Sequence, residues 1–487
     1  MIIEECKKQI CELQNIIDSF VLPNPLDNNE YTEVLETAAL LIDDLITNDP
    51  MIYILPKFHE ILYMQVFDLL ECQFAEIYDY DISDIIEKIV SEAITLYYIH
   101  ISPKRSYKTS FIRQCTAKNT KNTKKLLAKV EYLKNIPQPE QRTPEWYEFR
   151  HKFLTASSIW KAFISKSTRN QLIYDKCSPI DTNKYKNFST ASPMHWGNKY
   201  EPLSIMWYER KYNTEISDFG CISHKTLDFL AASPDGINTS ITSPRYGRML
   251  EVKNIVNREI TGIPKMEYWI QMQIQMEVCD LKECDFLETR FIEYEDFEEF
   301  EKDGDFNETQ DNKIKGIIMY FIKDGQPYYE YAPIGISKLE FEIWETKIMK
   351  KNHDLSWMKN IYWKLNQISC VLVLRNKLWF NAAKPILQDI WDIIEKEKIS
   401  GYNHRTPKRN IKNKIKNSPD TPRSSKCYIN INTLLNNEPS EKKTVIYTPS
   451  KTVNENIVIK INTECLTETS SSLSILMNQA QDTNSDS

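Results

Sequence analysis

The stretch SPDGINTSITSPRYGRMLEVKNIV, residues 233–256, carries the pattern on which the fold prediction rests. Its last part is compact and apolar and predicts a short strand. The strand period of two then places Glu251 and Lys253 on one face and turns Val252 into the core. Asp235 lies in the Ser-Pro-Asp-Gly turn after a preceding strand and is expected beside them. Two carboxylates and the carbonyl oxygen of Val252 form the hard oxygen set that Mg²⁺ or Mn²⁺ prefers.

The chemistry of such a site follows from the residue types. A cation held by these oxygens would polarise a phosphodiester and lower the pKa of a bound water. Lys253 would orient that water or stabilise the developing charge, and desolvation beside a cation would ease loss of its proton. A Glu-x-Lys pair on a strand is often only a surface salt bridge. The Ser-Pro-Asp-Gly turn upstream makes the metal interpretation more specific.

Two flanking helices are predicted to face this strand. KMEYWIQMQIQMEVC, residues 265–279, places Gln271 and Gln275 four apart on the helix face toward Glu251. Glutamine at three alternate positions leaves a strand as the alternative. HWGNKYEPLSIMWYERKY, residues 195–212, predicts an amphipathic helix that carries Glu201.

A possible anion site precedes these elements. Thr143-Pro144-Glu145 has an N-cap residue before a proline, which predicts a helix start, and Arg150 lies on that helix. In LTASSIWKAF, Thr155 can cap a second helix whose first turn holds Ser157. Free backbone N–H groups and a forked guanidinium together bind phosphate well. Ordinary capping beside a surface arginine is the alternative.

Composition bounds the class of protein. The chain has 487 residues, 41% of them hydrophobic and 26% charged, which is typical of a globular protein of about three domains or two plus a tail. No apolar run approaches the roughly 18 residues of a membrane span, and the N-terminus does not resemble a secretory signal. Eleven cysteines without a Cys-x-x-Cys pair predict neither a disulfide framework nor a zinc site. We therefore expect a reducing intracellular compartment and no membrane contact.

Taken in order, five motifs resemble the nuclease family of phage lambda exonuclease and the YqaJ-type viral recombinases, a branch of the PD-(D/E)XK superfamily. The motifs are Arg150 to Ser157 with LTAS, WGNKYE ending at Glu201, SPDG, LEVK and YWIQMQIQM. The resemblance covers residues 140–295 and points to a large DNA virus. It implies an α/β fold with a mixed central sheet flanked by helices.

The resemblance also implies a role for each matching residue. Asp235 and Glu251 would bind the metal, Mg²⁺ with Mn²⁺ as a substitute, and Glu201 would hold it through water or a second ion. Lys253 would be the catalytic lysine and Gln271 the glutamine of the catalytic face. Arg150, Ser157 and Ser233 would hold the phosphate of a DNA end.

Charge divides the rest of the chain. Residues 1–100 carry twenty Asp and Glu against four Lys and predict an acidic all-helical module. Residues 101–140 are expected to be a basic linker, 141–400 the nuclease domain and 401–487 a disordered tail. The segment 101–170 has sixteen Lys and Arg against four Glu, among them Lys104, Arg105 and Lys108. It either meets phosphate or is a solvated linker.

The region after the motifs predicts further sheet and helix. CDFLETRFIEY, GIIMYFI and PYYEYAPI are expected to be strands, the last two joined in a hairpin across residues 323–326, so that the sheet is extended at its edge. The run from FEIWETKIMKK to YWKLNQI, residues 341–368, predicts helix.

The leading functional expectation is a metal-dependent exonuclease that resects 5′ ends of double-stranded DNA for viral recombination, repair or replication. The alternatives are a structure-specific or nicking endonuclease and a non-catalytic DNA-binding recombination scaffold. A single-strand annealing protein is a possible partner and a homo-oligomer a possible assembly. The host cytoplasm and the nucleus stay open as compartments.

Overall fold

The fold is that of a computed structural model, and the residues described are 26–75, 82–113, 120–180 and 192–406. The chain divides into two compact units, Met1–Arg409 and Asn410–Ser487, and every element named below belongs to the first. The predicted disordered tail lies outside the described residues from residue 407 onward, and so stays a prediction.

The N-terminal region is helical, as the sequence predicts. It consists of α1 (Asn28–Asn48), a 3-10 turn (Pro50–Ile54), α2 (Phe58–Ala75) and α3 (Ser83–His100). Helix α1 begins with a capping box, in which Asp27 accepts from the backbone N–H of Glu30 and the Glu30 carboxylate accepts from that of Asp27. The apolar faces of these helices are buried against one another.

Six helices and one short strand lead into the central sheet. They are α4 (Thr120–Asn135), α5 (Pro144–His151), β1 (Leu154–Thr155), α6 (Ala156–Ile159), α7 (Lys161–Ile164), α8 (Lys166–Cys177) and α9 (Pro193–Tyr212). Both predicted helix starts near residues 143 and 155 are confirmed. Thr143 caps α5 by accepting from the N–H of Trp146, whereas Thr155 precedes α6 without a side-chain cap.

The remaining elements form the sheet and its covering helices. They are β2 (Ile216–Ser217), β3 (Ile222–Ser223), β4 (Leu230–Ala232), β5 (Gly236–Asn238), β6 (Met249–Asn254), α10 (Met266–Val278), β7 (Glu283–Glu293), α11 (Phe297–Lys302), β8 (Lys315–Lys323), β9 (Gln326–Tyr331), α12 (Lys338–Lys351), β10 (Ser356–Leu374), α13 (Lys377–Ser400) and a 3-10 turn (Asn403–Arg405). The seven-stranded sheet has the order β2-β5-β6-β7-β10-β8-β9, and β1-β4-β3 form a small second sheet. Only β6 and β7 pair in parallel within the large sheet, which is therefore mixed, as expected.

Strand β6 separates the core from the candidate site. Leu250 and Val252 pack against Tyr208 of α9 and Leu287 of β7. The period of two sends Glu251 to the opposite face, where α10 lies. The predicted facing of this strand and the helical form of residues 266–278 are confirmed.

The prediction of helix throughout residues 341–368 is wrong. Helix α12 ends at Lys351, and β10 is a strand placed in the middle of the sheet between β7 and β8. Ile361, Trp363 and Leu365 alternate as buried residues along it. Pairing with β7 and β8 satisfies the backbone hydrogen bonds of β10, and a local sequence pattern does not show such long-range pairing. The predicted β8–β9 hairpin is confirmed, and its turn residues have positive φ.

Residues 102–110 join the helical region to the sheet. The Trp269 indole of α10 donates to the carbonyl oxygen of Arg105 at 2.8 Å, and the Arg105 side chain donates to that of Tyr53 at 3.0 Å. The N–H groups of Tyr107 and Ser110 donate to carbonyls of β10. These contacts cross the expected boundary at residue 100, whose position stays a prediction.

A buried network of charged residues lies where residues 102–110 meet the sheet. Asp285 of β7 is fully buried and pairs with Arg245 and Arg248, and it also accepts from the Ser110 hydroxyl at 2.7 Å. Such a network is strongly destabilised when one partner is removed. No helix in the described ranges has the length and apolar character needed to cross a membrane.

Candidate active site

Asp235 is placed beside β6 by the turn that leads into β5. Its Oδ2 accepts from the backbone N–H of Val252 at 2.8 Å and lies 4.0 Å from the Lys253 ammonium. Gly236 next to it pairs with Leu250 and leaves no room for a side chain, since a Cβ there would lie 2.2 Å from Cγ2 of Ile216. This close approach of β2 fixes where the carboxylate stands.

Glu251 is fully buried and held on both oxygens. Its Oε1 accepts from Lys253 and, at 2.7 Å, from the Gln271 amide; its Oε2 accepts from the Gln275 amide, also at 2.7 Å. Burial raises the pKa of Glu251 to about 7, and the charge of Asp235 adds to the effect. The two glutamines thus fix a carboxylate whose charge needs a nearby cation.

The Lys253 ammonium marks the point where the oxygen ligands converge. It contacts Oε1 of Glu251, the carbonyl oxygen of Val252 at 3.1 Å and Oδ2 of Asp235 at 4.0 Å. Burial lowers the pKa of Lys253, but the two carboxylates outweigh burial and the net shift is upward. In this arrangement Lys253 is a cation and not a base.

Glu201 approaches the same cluster from α9. Its Oε2 accepts from Arg142 at 2.8 Å. Burial raises the pKa of Glu201 to about 7 and Asp235 adds to this, while Arg142 and Lys253 oppose it. The upward shifts at Glu201 and Glu251 are the response of crowded carboxylates to burial and to the charge of Asp235.

The donor set fits a hard divalent cation. Two carboxylates and one backbone carbonyl converge on a single positive charge, and a third carboxylate lies close by. Among the described residues no three His, Cys, Asp or Glu side chains are grouped closely enough to hold an ion alone. The carbonyl of Val252 adds a backbone oxygen to the carboxylates of the set.

Arg150, Ser157 and Ser233 come together in a pocket beside this set. The Arg150 guanidinium donates to Oγ of Ser157 at 2.7 Å and to Oγ of Ser233 at 3.5 Å. It lies 4.1 Å from the ring centre of Trp146, whose indole donates to Ser233 at 3.2 Å. Ser233 is two residues from Asp235, and its carbonyl accepts from Gln275 at 3.4 Å. The pocket and the carboxylates are thus adjacent.

Three further residues at the site are not among those predicted, and only Trp146 has a local sequence signal. Arg142 pairs with Glu201 from a loop position with a φ of 69°. Lys176 of α8 donates to the carbonyl oxygen of Arg150 at 2.9 Å, and burial, followed by the charge of Arg150, lowers its pKa to about 7. Trp146 lies on the predicted helix, and its spacing of four from Arg150 is the only hint of their contact.

A second basic group lies next to Lys253. Arg258 contacts the buried Glu288 carboxylate and lies 5.4 Å from the ring centre of Tyr268. Lys253 lies 5.3 Å from the same ring. Both cations therefore lie within cation–π distance of the Tyr268 ring.

Comparisons with known proteins agree with the motifs. Residues 145–282 match the YqaJ-like viral recombinase domain, so the resemblance seen in the sequence is confirmed. An uncharacterized protein of Acanthamoeba polyphaga mimivirus is 33% identical over 337 residues, which are 61% of this chain and 58% of that protein. The chain thus spans less than two thirds of that relative.

Solved structures of exonucleases are also similar. The alkaline exonuclease of Laribacter hongkongensis is 18% identical, with a TM-score of 0.31, over 53% of this chain and 94% of its own. A phage-related exonuclease from Haemophilus somnus is 12% identical, with a TM-score of 0.29, over 51% of this chain and 96% of its own.

Proposed function

We propose that this chain is a divalent-metal-dependent DNA exonuclease that hydrolyses double-stranded DNA from its 5′ ends. The observation that carries the proposal is the adjacency of two sites, an oxygen cluster around Lys253 and an arginine-serine pocket formed by Arg150, Ser157 and Ser233. Ser233 of the pocket is two residues before Asp235 of the cluster. The match to the YqaJ-like viral recombinase domain supports a role in viral DNA recombination or repair. An annealing protein as partner, a homo-oligomer, and the host cytoplasm or nucleus as compartment belong to the same proposal.

The metal ligands follow from the donor set. Asp235, Glu251 and the carbonyl of Val252 would hold Mg²⁺, or Mn²⁺ in its place, with Glu201 nearby. A bound cation would polarise the phosphodiester and lower the pKa of the attacking water. The two glutamine amides keep Glu251 in one orientation, which a rigid ligand geometry requires.

Lys253 acts as a fixed positive charge. Its ammonium is held between the carboxylates and is within reach of a substrate phosphate that approaches the same oxygens. A positive charge at that place stabilises the negative charge that develops on the phosphate during hydrolysis.

The arginine-serine pocket explains a preference for ends. The Arg150 guanidinium and the hydroxyls of Ser157 and Ser233 offer donors to a terminal phosphate, which uses all three of its oxygens. An end phosphate held there sets the distance of the next phosphodiester from the carboxylates. An internal phosphate has fewer free oxygens to offer to the same donors.

A digestion time course tests the proposal. Linear duplexes labelled at either end, and a covalently closed circle, are incubated with and without Mg²⁺. We expect nucleotide release from 5′ ends only with Mg²⁺, an intact circle, and loss of activity in Asp235→Asn. Asp218→Asn, at an aspartate that takes no part in the cluster, is the matched control and should stay active.

Each alternative predicts a different result. Rapid cutting of the circle would replace the exonuclease proposal with an endonuclease. DNA binding without metal-dependent release of nucleotides from any substrate would make the chain a non-catalytic scaffold.

A further inference from the structure

A groove of about 610 Å³ lies between the N-terminal helices and the segment that joins them to the sheet. It is lined by His59 and Tyr63 of α2, Tyr98 of α3, residues 104–109, Phe111 and the loop at Gly262. We call it the basic-aromatic groove. It is separate from the arginine-serine pocket, with which it shares no lining residue among those described.

One side of the groove carries cations from the basic segment 101–170, and the other side is formed by the acidic N-terminal helices. Lys104, Arg105 and Lys108 line it, whereas no Asp or Glu of the described ranges does. Residues 1–100, which supply one of its walls, have five acidic residues for every lysine, twenty against four. Three cations in the groove, without an acidic residue of the described ranges in its lining, favour an anionic ligand.

Arg105 is the buried cation of the groove, and the charge of Glu267 acts on it. Only 1% of it is exposed. Its Nε and Nη2 donate to the carbonyls of Tyr53 and Ile54 at 3.0 and 3.3 Å, and its Nη1 has no hydrogen-bond partner among the described residues. No carboxylate of those residues forms an ion pair with it. Burial lowers the pKa of Arg105 to about 9, so it is still charged at neutral pH.

The groove also has an unpartnered polar atom in its wall. Nδ1 of His59 lies 2.7 Å from the Tyr98 hydroxyl, while Nε2 is buried without a partner in the described part of the chain. Burial and the charges of Lys104 and Arg105 lower the pKa of His59 to about 4. Buried polar atoms in native proteins nearly always have a partner, and here a ligand would supply one.

Aromatic rings alternate with the cations. Tyr63, Tyr98, Tyr107 and Phe111 line the groove; Phe111 is 39% exposed and lies edge-on to Tyr107 at 5.2 Å. A simple anion uses only the cations. A groove that combines cations with exposed rings fits unpaired bases on a phosphate backbone, because bases in a duplex already stack on each other.

We propose that the basic-aromatic groove binds single-stranded nucleic acid, with Lys104 and Lys108 on phosphates and Phe111 on a base. The wall of the groove at Gly262 packs on the same face of the sheet as Glu251. A Cβ at Gly262 would lie 3.8 Å from Val371, which is in register with Phe286, which in turn is in register with Glu251. Resting on the proposed function, the natural occupant is the DNA strand that hydrolysis leaves unpaired.

Binding is measured without hydrolysis. Fluorescence anisotropy follows a labelled oligo(dT) titrated with the full chain in EDTA, over a series of salt concentrations. Lys104→Gln/Lys108→Gln should bind more weakly and reduce the slope of log affinity against log salt by about 1.4, that is about 0.7 for each phosphate that is no longer neutralised. Phe111→Ala should lose roughly five- to a hundredfold in affinity. Lys302→Gln/Lys338→Gln removes the same charge at exposed positions and should match the wild type.

Crosslinking locates the strand. An oligonucleotide with 5-iodouracil should crosslink to the tryptic peptide of residues 109–113, which contains Phe111. Wild-type affinity and salt slope in the double lysine variant, with circular dichroism showing a folded chain, would overturn the proposal. Equal affinity for an abasic strand would reduce the groove to a general polyanion site and overturn the assignment to nucleic acid.

The two proposals fail separately. If the chain binds oligo(dT) through the groove but releases no nucleotides with Mg²⁺, the nuclease proposal is contradicted and the groove proposal is retained. If the chain degrades duplex ends while the groove variants bind oligo(dT) as tightly as the wild type, only the groove proposal is contradicted.

Discussion

Replacing Arg150 with alanine should remove most of the rate advantage that a 5′-phosphate gives a DNA end. The guanidinium is already oriented before a phosphate arrives. It is held by hydrogen bonds to Ser157 at 2.7 Å and Ser233 at 3.5 Å and lies 4.1 Å from the ring centre of Trp146. A side chain fixed in this way loses little conformational entropy when it binds a ligand.

The size of the effect follows from the hydrogen bonds that alanine cannot make to the phosphate. A hydrogen bond to a charged group contributes about 1.5–3 kcal/mol, and every 1.4 kcal/mol is about tenfold in rate. We therefore expect kcat/KM on 5′-phosphate ends to fall roughly ten- to a hundredfold. On 5′-hydroxyl ends the variant and the wild type should be nearly equal. Arg150→Lys keeps the charge but not the fork, and should fall between the two.

Initial rates on matched linear duplexes with either terminus give the ratio directly. Arg169→Ala is the control, since that guanidinium donates to the carbonyl of Ala162 at 2.9 Å and takes no part in the pocket. Urea unfolding of each variant shows whether a lower rate is instead caused by a lower free energy of unfolding, since Arg150 packs against Trp146. An unchanged ratio of phosphate to hydroxyl rates in Arg150→Ala would refute end recognition by this pocket.

Three further predictions concern the ligands, a buried lysine and a close backbone approach. Glu251→Gln and Asp235→Asn should each abolish hydrolysis while DNA binding, followed by anisotropy, is kept; activity in either would remove that residue from the metal site. Lys176 has a folded pKa of about 7 against an ordinary 10.5, so the unfolded state binds more protons between these values and stability rises with pH across them. The gain in free energy of unfolding of Lys176→Met over the wild type, measured by urea unfolding, should therefore be largest at and below pH 7. A stability difference between the two proteins that does not change with pH would contradict this. Gly236→Ala should cost about 1–3 kcal/mol by crowding Cγ2 of Ile216 and should lower activity. Ile216→Ala in the same chain should restore both stability and activity. The nearest atoms to the new Cβ are then the carbonyl oxygen of Ser217 at 3.6 Å and Cβ of residue 216 at 3.7 Å.

The parts of the site that lie on one element are predictable from the sequence. The alternation of β6 places Glu251 against α10 and Val252 against α9, and the spacing of four turns Gln271 and Gln275 the same way. These are local consequences of regular backbone geometry. The strand and the helix needed only their residue types to be identified.

The parts that depend on long-range pairing are not predictable in this way. Apolar residues at 358, 361, 365 and 368 have the spacing of a helix, although 361, 363 and 365 also alternate as in a strand. Pairing with β7 and β8 decides between the two, and Met358 is left 49% exposed. Arg142 and Lys176 reach the site through tertiary packing, so neither has a motif.

Helix α10 has two occupied faces, and this restricts how the protein can evolve. On one face, the amides of Gln271 and Gln275 donate hydrogen bonds to Glu251. On the other face, the Trp269 indole donates to the carbonyl oxygen of Arg105. A substitution in the N-terminal helices that shifts Arg105 also shifts the helix that orients the carboxylate. The packing of the N-terminal region and the orientation of Glu251 are therefore coupled through one helix.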